Sequence, residues 1–332
     1  MHLSCFFIIQ KSRLKNNIPQ HLEKLFGVPV RSEPQLIQKL WSGYGELSRY
    51  FLSSKERPSI IVKHIHFPSQ PKHPRGWNTN RSHVRKVKSY EVELEWYRIW
   101  SDKTNRNCKI PFCFAIEAEE EEQLLVLEDL DAAGYHLRRS SLTVIQAKVV
   151  LKWLAHFHGN FMSYDPRKLW KEGSYWHLET RPDEWKAMDH SWLKSNAAEL
   201  DKRLKDCQFQ TIIHGDAKVA NFCFKEDLSA VAAVDFQYVG GGCGMRDVAY
   251  FLGSCLLELE CEKHEDELLA YYFKILKREA TNIDVDALEK EWRSMYAIAW
   301  ADFTRFLLGW MPTHQKVNGY SLAMVERAKK LL

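Results

Sequence analysis

The chain lacks most of the features that mark a specialised class. Its 332 residues contain no C-x-x-C pair, and the eight cysteines (Cys5, Cys108, Cys113, Cys207, Cys223, Cys243, Cys255, Cys261) stand at irregular spacings. That excludes the usual zinc sites and a redox dithiol. Several of these cysteines lie in apolar stretches, as reduced core cysteines do, so the expected compartment is the reducing cytoplasm. No apolar run is long enough to span a bilayer. The leading run from Leu3 to Ile9 is short, with no basic residues ahead of it and no small-residue cleavage site after it. It reads as local packing, not as a signal peptide. Low-complexity segments and repeats are absent. The charge excess is small, 47 Lys and Arg against 43 Asp and Glu, too little for a dedicated nucleic-acid binder.

What is present is an ordinary folding composition, 45% hydrophobic, in a chain long enough for two lobes. Alternating apolar residues predict three strands between Gln35 and Phe67, with Gly43-Tyr44-Gly45 turning the first into the second. A helix is expected over Val87–Trp100, then strands around Phe112–Ile116 and Gln123–Leu127. The acidic run Glu119–Glu122 between them reads as a solvated hairpin tip. After Gly134 the pattern becomes helical. Thr143 and Gln146 form a capping box that opens a helix with Ile145, Val149, Trp153, Phe157 and Phe161 on one face. Further helices are expected over Val248–Leu259, Glu265–Lys277 and Val285–Gly309. The division predicted is an N-lobe at 1–127, a hinge at 128–134 and a helical C-lobe at 135–332, an α+β arrangement.

The densest chemistry lies in His214-Gly215-Asp216-Ala217-Lys218-Val219-Ala220-Asn221, between apolar Ile212-Ile213 and Phe222-Cys223-Phe224. A charged turn leads to Val231-Ala232-Ala233-Val234-Asp235-Phe236. Short strands thus carry Asp216, Asn221 and Asp235 at their edges. Phosphoryl transfer from ATP needs such a set: one carboxylate to take or orient the acceptor hydroxyl's proton, and another carboxylate with an amide oxygen to hold Mg2+ on the phosphates. Hard oxygen ligands suit Mg2+, and the amide adds a donor without adding charge.

The pattern H-x-D-x-x-x-x-N followed by Asp-Phe resembles the catalytic and metal loops of the protein-kinase-like fold. The forms His214-Gly215-Asp216 and Asp235-Phe236-Gln237 are most similar to its small-molecule branch: aminoglycoside phosphotransferases, choline kinases and, closest in wording, ecdysteroid-kinase-like proteins. The resemblance implies a bilobal α+β fold, with an antiparallel β-sheet N-lobe carrying one main helix and a mostly helical C-lobe. It implies Asp216 as catalytic base, Asn221 and Asp235 as Mg2+ ligands, and Lys218 at the transferring phosphoryl group. His214 and Asp247 would brace the catalytic loop. Lys63 would meet the α- and β-phosphates, with Glu93 as its partner and Glu91 and Glu95 as rivals for that place. Gly43 and Gly45 would cover the phosphates. Glu128 to Leu130 would be the hinge that binds adenine. The expected activity is transfer of the γ-phosphate of ATP to a hydroxyl of a small-molecule alcohol. The sequence departs from the pattern in its thin glycine turn, in Gln237 where protein kinases have glycine, and in the loop from His64 to Lys88.

Rival readings are a protein kinase, an inactive nucleotide-binding scaffold and a basic interaction module. Only twelve positions separate Asp235 from Asp247, too few for a long activation segment. Intact Lys63, Asp216, Asn221 and Asp235 argue against a dead scaffold. Residues 57–90 carry no acid but eight Lys and Arg, either a phosphate lid or a solvated loop. With Trp77 the sole aromatic of 68–88, nucleic-acid stacking there is poorly supplied. His156 and His158 point different ways on a helix, which leaves His158 to pack near the catalytic loop. Gly240–Gly244 reads as a flexible bend. The aromatic series Trp292, Tyr296, Trp300, Phe303, Phe306 and Trp310 reads as core, with one or two rings lining an acceptor pocket.

Overall fold

The expected three strands form between Gln35 and His66: β1 (Gln35–Lys39), exposed along its length, and β2 (Gly45–Phe51) and β3 (Ser59–His66), which mix buried and half-buried positions. They join β4 (Cys113–Ala118) and β5 (Glu122–Glu128) in an antiparallel sheet of order β1-β2-β3-β5-β4. The computed structural model describes residues 18–40, 43–67, 80–119 and 122–332. The apolar run Leu3–Ile9, Ser42 of the glycine turn, and Lys72, Arg75 and Trp77 of the basic segment lie outside these residues. The chain divides into two compact units, the first Met1–Tyr90 with Pro111–His136, the second Glu91–Ile110 with Leu137–Leu332.

In the first unit, α1 (Ile18–Phe26) sets Ile18 and Leu22 against Tyr50, Leu52, Ile60, Val62, Leu124 and Val126 of the sheet. A second cluster joins Tyr44, Ile65 and Tyr90, the last on α2 (Asn80–Glu95). Each such side chain removed from water contributes roughly 1.5–3 kcal/mol before entropy is counted. The acidic hairpin tip is only partly as expected. Glu119 is exposed, but Glu122 is buried and paired with His64, because the antiparallel register of β3 and β5 sets Glu122 opposite His66 and diagonally across from His64.

The second unit is mostly helical. A π-helical turn, Trp96–Trp100, ends the α2 segment. Then come α3 (Val144–Asn160), α4 (Pro182–Ala187), α5 (Trp192–Ser195), α6 (Ala197–Lys205), α7 (Met245–Cys255), α8 (Glu258–Glu279), α9 (Val285–Trp310) and α10 (Gly319–Lys329). Thr143 and Gln146 form the capping box of α3 in both directions. The buried face of α3 differs from the expected one. Trp153, Phe157 and Phe161 are core, whereas Ile145 is 78% exposed, and the inward positions near the start of α3 are Ala147 and Val150. The rings of Trp153 and Phe157 stack at 4.8 Å, and Trp96 stacks on Phe236 at 4.5 Å. α9 packs against α4, α6, α7 and α10, with Trp292, Tyr296, Trp300, Phe303 and Phe306 all buried.

Two short antiparallel pairs complete this unit: β6 (Thr211–Ile213) with β9 (Gly240–Gly242), and β7 (Phe222–Phe224) with β8 (Val231–Ala233). The glycine run is therefore a paired strand and not a flexible bend. A Cβ on Gly240 would lie 2.3 Å from the Trp170 carbonyl oxygen, so close backbone approach, not freedom, is what glycine supplies there. The seven described cysteines are free, six of them buried. Among the described residues no helix is long and apolar enough to cross a membrane.

Candidate active site

Asp216 follows β6 through a backbone that only glycine allows. Gly215 has φ +78°, and a Cβ there would stand 2.0 Å from the Tyr238 carbonyl oxygen. Its neighbour His214 donates its backbone N–H to Asp247 Oδ2 at 2.6 Å, and Gly215 N–H goes to Asp247 Oδ1 at 2.9 Å. His158 Nε2 adds a third bond to Asp247 at 3.1 Å, while the Tyr272 hydroxyl, 2.7 Å away, donates to His158 Nδ1. Asp247, His158 and His214 are fully buried. A buried carboxylate answering three donors locks the loop ahead of Asp216, since each donor left unpaired would cost about 1–3 kcal/mol. The His214 ring continues the brace. Its Nε2 lies 3.0 Å from the Val234 carbonyl oxygen, and its Nδ1 accepts the Asp216 N–H at 3.3 Å.

Asp216 is 6% exposed. Its Oδ2 accepts from Lys218 Nζ at 2.8 Å and from Asn221 Nδ2 at 3.0 Å, and its main-chain oxygen takes the same Asn221 amide at 2.8 Å. Oδ1 is buried without a well-formed hydrogen bond among the described residues. Burial opposes the charge on Lys218, but Asp216 and Asp235 outweigh it and hold the ammonium protonated well above its ordinary range. One cation thus answers both carboxylates.

The β7–β8 register places Asp235 beside Asn221. Phe222 pairs with Ala233, and the next rung is the Val234 N–H on the Asn221 carbonyl, 3.0 Å. Asp235 follows immediately, with φ +68°, a left-handed conformation that costs a non-glycine residue roughly 1 kcal/mol or more. Phe236 offsets that cost by packing its buried ring on Trp96 and His214, 4.5 and 4.8 Å between centroids. The Asn221 amide nitrogen is committed to Asp216, which turns its oxygen away. That oxygen and the Asp235 carboxylate are hard donors of a kind that fits Mg2+ and not zinc.

A wall of rings adjoins Asp216. The Tyr175 and Tyr250 hydroxyls are 3.1 Å apart. Burial first, then the charges of Tyr175 and Asp216, push the Tyr250 hydroxyl well above its ordinary value. Tyr250 and Phe303 rings lie 4.9 Å apart, and Tyr175 and Phe306 5.4 Å. The Arg181 guanidinium stands over Tyr175 and Phe306 at 5.3 and 5.4 Å, with Nε on the Tyr175 carbonyl oxygen at 2.6 Å. Lys316, between α9 and α10, reaches the Tyr250 ring at 4.9 Å. Phe303 and Phe306 were legible as aromatic positions of α9. No local signal in the sequence marks Tyr175, Tyr250, Arg181 or Lys316.

The first unit holds Lys63, the two glycines and Glu128 to Leu130, and the second the glutamates proposed to partner Lys63. Lys63, on β3, is 6% exposed with its ammonium 5.6 Å from the Tyr90 ring. Gly45 has φ +124°, and a Cβ there would meet the His64 carbonyl oxygen at 2.0 Å. Gly43 has φ +76°, and the turn is closed by the Leu40 N–H on the Gly45 carbonyl, 2.8 Å. Tyr44 between them is buried, its hydroxyl 2.5 Å from His83 Nδ1. In the segment expected to be the hinge, the Glu128 N–H bonds the Phe112 carbonyl at 2.8 Å and the Leu130 carbonyl accepts from Tyr135 at 2.8 Å. Asp129, inside that segment, anchors it. Asp129 takes Arg49 Nε at 2.6 Å and the Ser59 hydroxyl at 2.6 Å. Burial opposes its ionisation, yet these bonds hold its pKa below the ordinary value. Among the glutamates proposed to partner Lys63, Glu93 is buried at 2%, Glu91 is exposed, and Glu95 pairs with Arg98 and Lys168.

One other cluster of the second unit has metal-type ligands, Glu172, His177 and Asp201. It already contains its cations. Lys205 Nζ lies 2.8 Å from both Glu172 and Asp201, and Arg246 approaches them at 3.9 and 3.6 Å. Burial, with Arg246 and Lys205, drives the His177 pKa well below its ordinary value, so the ring is neutral. The group is a closed ion-pair network.

Among solved structures the chain is similar to spectinomycin phosphotransferase bound to AMP, at 14% identity over 94% of each chain with a TM-score of 0.49. It is also similar to choline kinase from Cryptosporidium parvum, at 12% identity over 90% of this chain and 89% of that one, TM-score 0.47. A Plasmodium vivax ethanolamine kinase matches at 12% identity over 89% and 81%, TM-score 0.47. A comparison with curated proteins finds no match. The family model described as "Ecdysteroid kinase-like family" matches residues 52–169 and 174–285, more than half of the chain. With that match, and with the Asp216, Asn221 and Asp235 loops built as described, the chain belongs to the ecdysteroid kinase-like family.

Proposed function

We propose that this chain transfers the γ-phosphoryl group of ATP to a hydroxyl of a small-molecule acceptor. The observation that carries the reading is the setting of Asp216: a buried carboxylate with one oxygen held by Lys218 and Asn221 and the other, on the Tyr250 side, without a well-formed hydrogen bond among the described residues and so available to an incoming hydroxyl. Such a carboxylate orients the hydroxyl and takes its proton as the O–P bond forms. Lys218 stays protonated throughout and offsets negative charge on the phosphoryl oxygens. Asn221 and Asp235 are the residues that would hold Mg2+, whose contribution when bound is to neutralise phosphate charge. Asp247 and His158 fix the loop geometry. In the first unit, Lys63 serves the nucleotide phosphates, Gly43 and Gly45 cover them, and Glu128 to Leu130 receive adenine, as the resemblance implies; Glu93, which the resemblance names as the partner of Lys63, belongs to the second unit.

The test is ADP release measured across a library of alcohols, with Asp216→Asn as control. Alcohol-dependent turnover that survives this substitution removes Asp216 from the base role. Mg2+-dependent ATP binding without turnover on any alcohol would favour a nucleotide-binding scaffold instead. Asp235→Ala should abolish the Mg2+ dependence of that binding.

A further inference from the structure

Lys316 is mostly buried, yet among the described residues its ammonium forms neither an ion pair nor a hydrogen bond. It lies over two aromatic faces, 4.9 Å from the Tyr250 ring centre and 5.6 Å from that of Phe303. A buried ammonium is normally paired, because rings alone compensate only part of its lost hydration. The groups that act on it are Asp216, Lys218 and the Cys255 thiol, with His314 on its own segment. Of these only Asp216 is anionic, and its Oδ2 is already shared by Lys218 and Asn221. The chain therefore supplies a cation and an apolar wall, with no ion pair on the ammonium and only the charge of Asp216 acting against its burial.

We propose that Lys316 is the specificity residue for the acceptor, and that the acceptor is an amphipathic alcohol carrying an oxyanion group on a flat apolar body. The word acceptor rests on the phosphotransfer reading; the oxyanion site does not. The oxyanion would complete the pairing that Lys316 lacks, while the apolar body lies along Tyr175 and Tyr250. Arg181, over the Tyr175 ring, is already paired with Glu184 at 3.2 Å, and Lys218 with Asp216. A cationic acceptor would meet Lys316, whose charge no ion pair offsets, an arrangement that rejects it.

The experiment uses the full chain and three matched probes: hydroxymethyl-naphthoate, its methyl ester, and the analogue with trimethylammonium in place of carboxylate. Each is titrated at pH 7 with tryptophan emission as readout. The naphthoate should bind at least about tenfold tighter than the ester, as a charge-assisted hydrogen bond requires, and the cation weakest. Lys316→Met should bring naphthoate and ester to equal affinity, Lys316→Glu should invert the order, and Lys316→Arg should keep it. Lys316→Gln replaces the Met variant if that one does not fold. The proposal is overturned if the wild-type chain binds naphthoate no tighter than ester, shows no saturable binding at millimolar probe, or keeps its preference in the Met variant. Equal loss of phosphoryl transfer to all three probes in Lys316→Met, with their binding order intact, would assign Lys316 to the phosphoryl group and also overturn it. Failure of the phosphotransfer reading appears separately, as absent transfer in a chain whose binding order is as expected.

Discussion

Replacing Lys316 by methionine should make the unliganded protein more stable. Burial pulls the Lys316 pKa from its ordinary 10.5 to about 8, with Asp216 only partly opposing the drop. At neutral pH the folded chain thus carries a protonated amine in a site that disfavours the charge, at a cost of ~3 kcal/mol from 1.36 kcal/mol per tenfold change in acidity. Methionine keeps most of the apolar stem and removes that cost. The pH dependence gives the sharper test. Below pH 8 both folded and unfolded lysine hold their proton and the penalty is constant. Between pH 8 and 10.5 the unfolded chain retains the proton that the folded chain has lost, so wild-type stability rises with pH. The difference between variant and wild type should therefore be about 3 kcal/mol at pH 7 and shrink toward zero by pH 10.5. Groups that do not sense Lys316 titrate alike in both proteins and cancel; His314 and the Cys255 thiol, both lowered by the Lys316 charge, are the exceptions. Urea unfolding followed by tryptophan emission reads the right unit, since Trp153, Trp176, Trp292 and Trp300 are all buried there. A variant no more stable than wild type at pH 7, or a difference flat from pH 7 to 10, would refute the reasoning. An added oxyanion ligand should narrow the gap by stabilising wild type alone.

Asp216→Asn should lower alcohol-dependent ADP release by about 10²–10⁴-fold while ATP still binds, as checked by steady-state kinetics beside equilibrium titration. Asp247→Ala would strand the donors of His214, Gly215 and His158, all buried. A loss of ~3 kcal/mol or more is expected in denaturant unfolding, together with a fall in kcat. Gly45→Ala forces a methyl to within 2.0 Å of the His64 carbonyl oxygen at φ +124°, and should cost at least ~2 kcal/mol, seen as a lower Tm. Arg49→Met leaves Asp129 buried without its guanidinium, at a cost of roughly 3–5 kcal/mol at neutral pH. Asp129 has a depressed pKa in the folded wild type, so its contribution is full above the ordinary 3.8 and is lost as pH falls through the depressed value. The gap between wild type and Arg49→Met should accordingly close in acid unfolding.

Much of the Asp216 loop was legible because its chemistry is local. His214, Asp216, Lys218 and Asn221 lie within eight residues, and the two β-like runs beside Asn221 and Asp235 could pair only as neighbours. The capping box at Thr143 was readable for the same reason. Misreadings arose where distant partners overrode a local signal. Gly240–Gly242 looks like a breaker until the Trp170 carbonyl is placed against it. Glu122 looks solvated until the β3–β5 register sets it diagonally across from His64. Ile145 fits the helical period of α3, but it lies on the exposed side while Ala147 and Val150 are buried.

The sequence by itself determined which short segments become strand, turn or helix, and which polar side chains lie at their edges, because spacing along the backbone dictates both. Only the tertiary structure decided that Asp129 anchors to Arg49, that Asp247 takes three donors, and that Lys316 comes to rest among rings without a counter-ion. Those outcomes depend on side-chain volumes packing across residues far apart in sequence, and no spacing rule encodes which charge such packing leaves uncompensated.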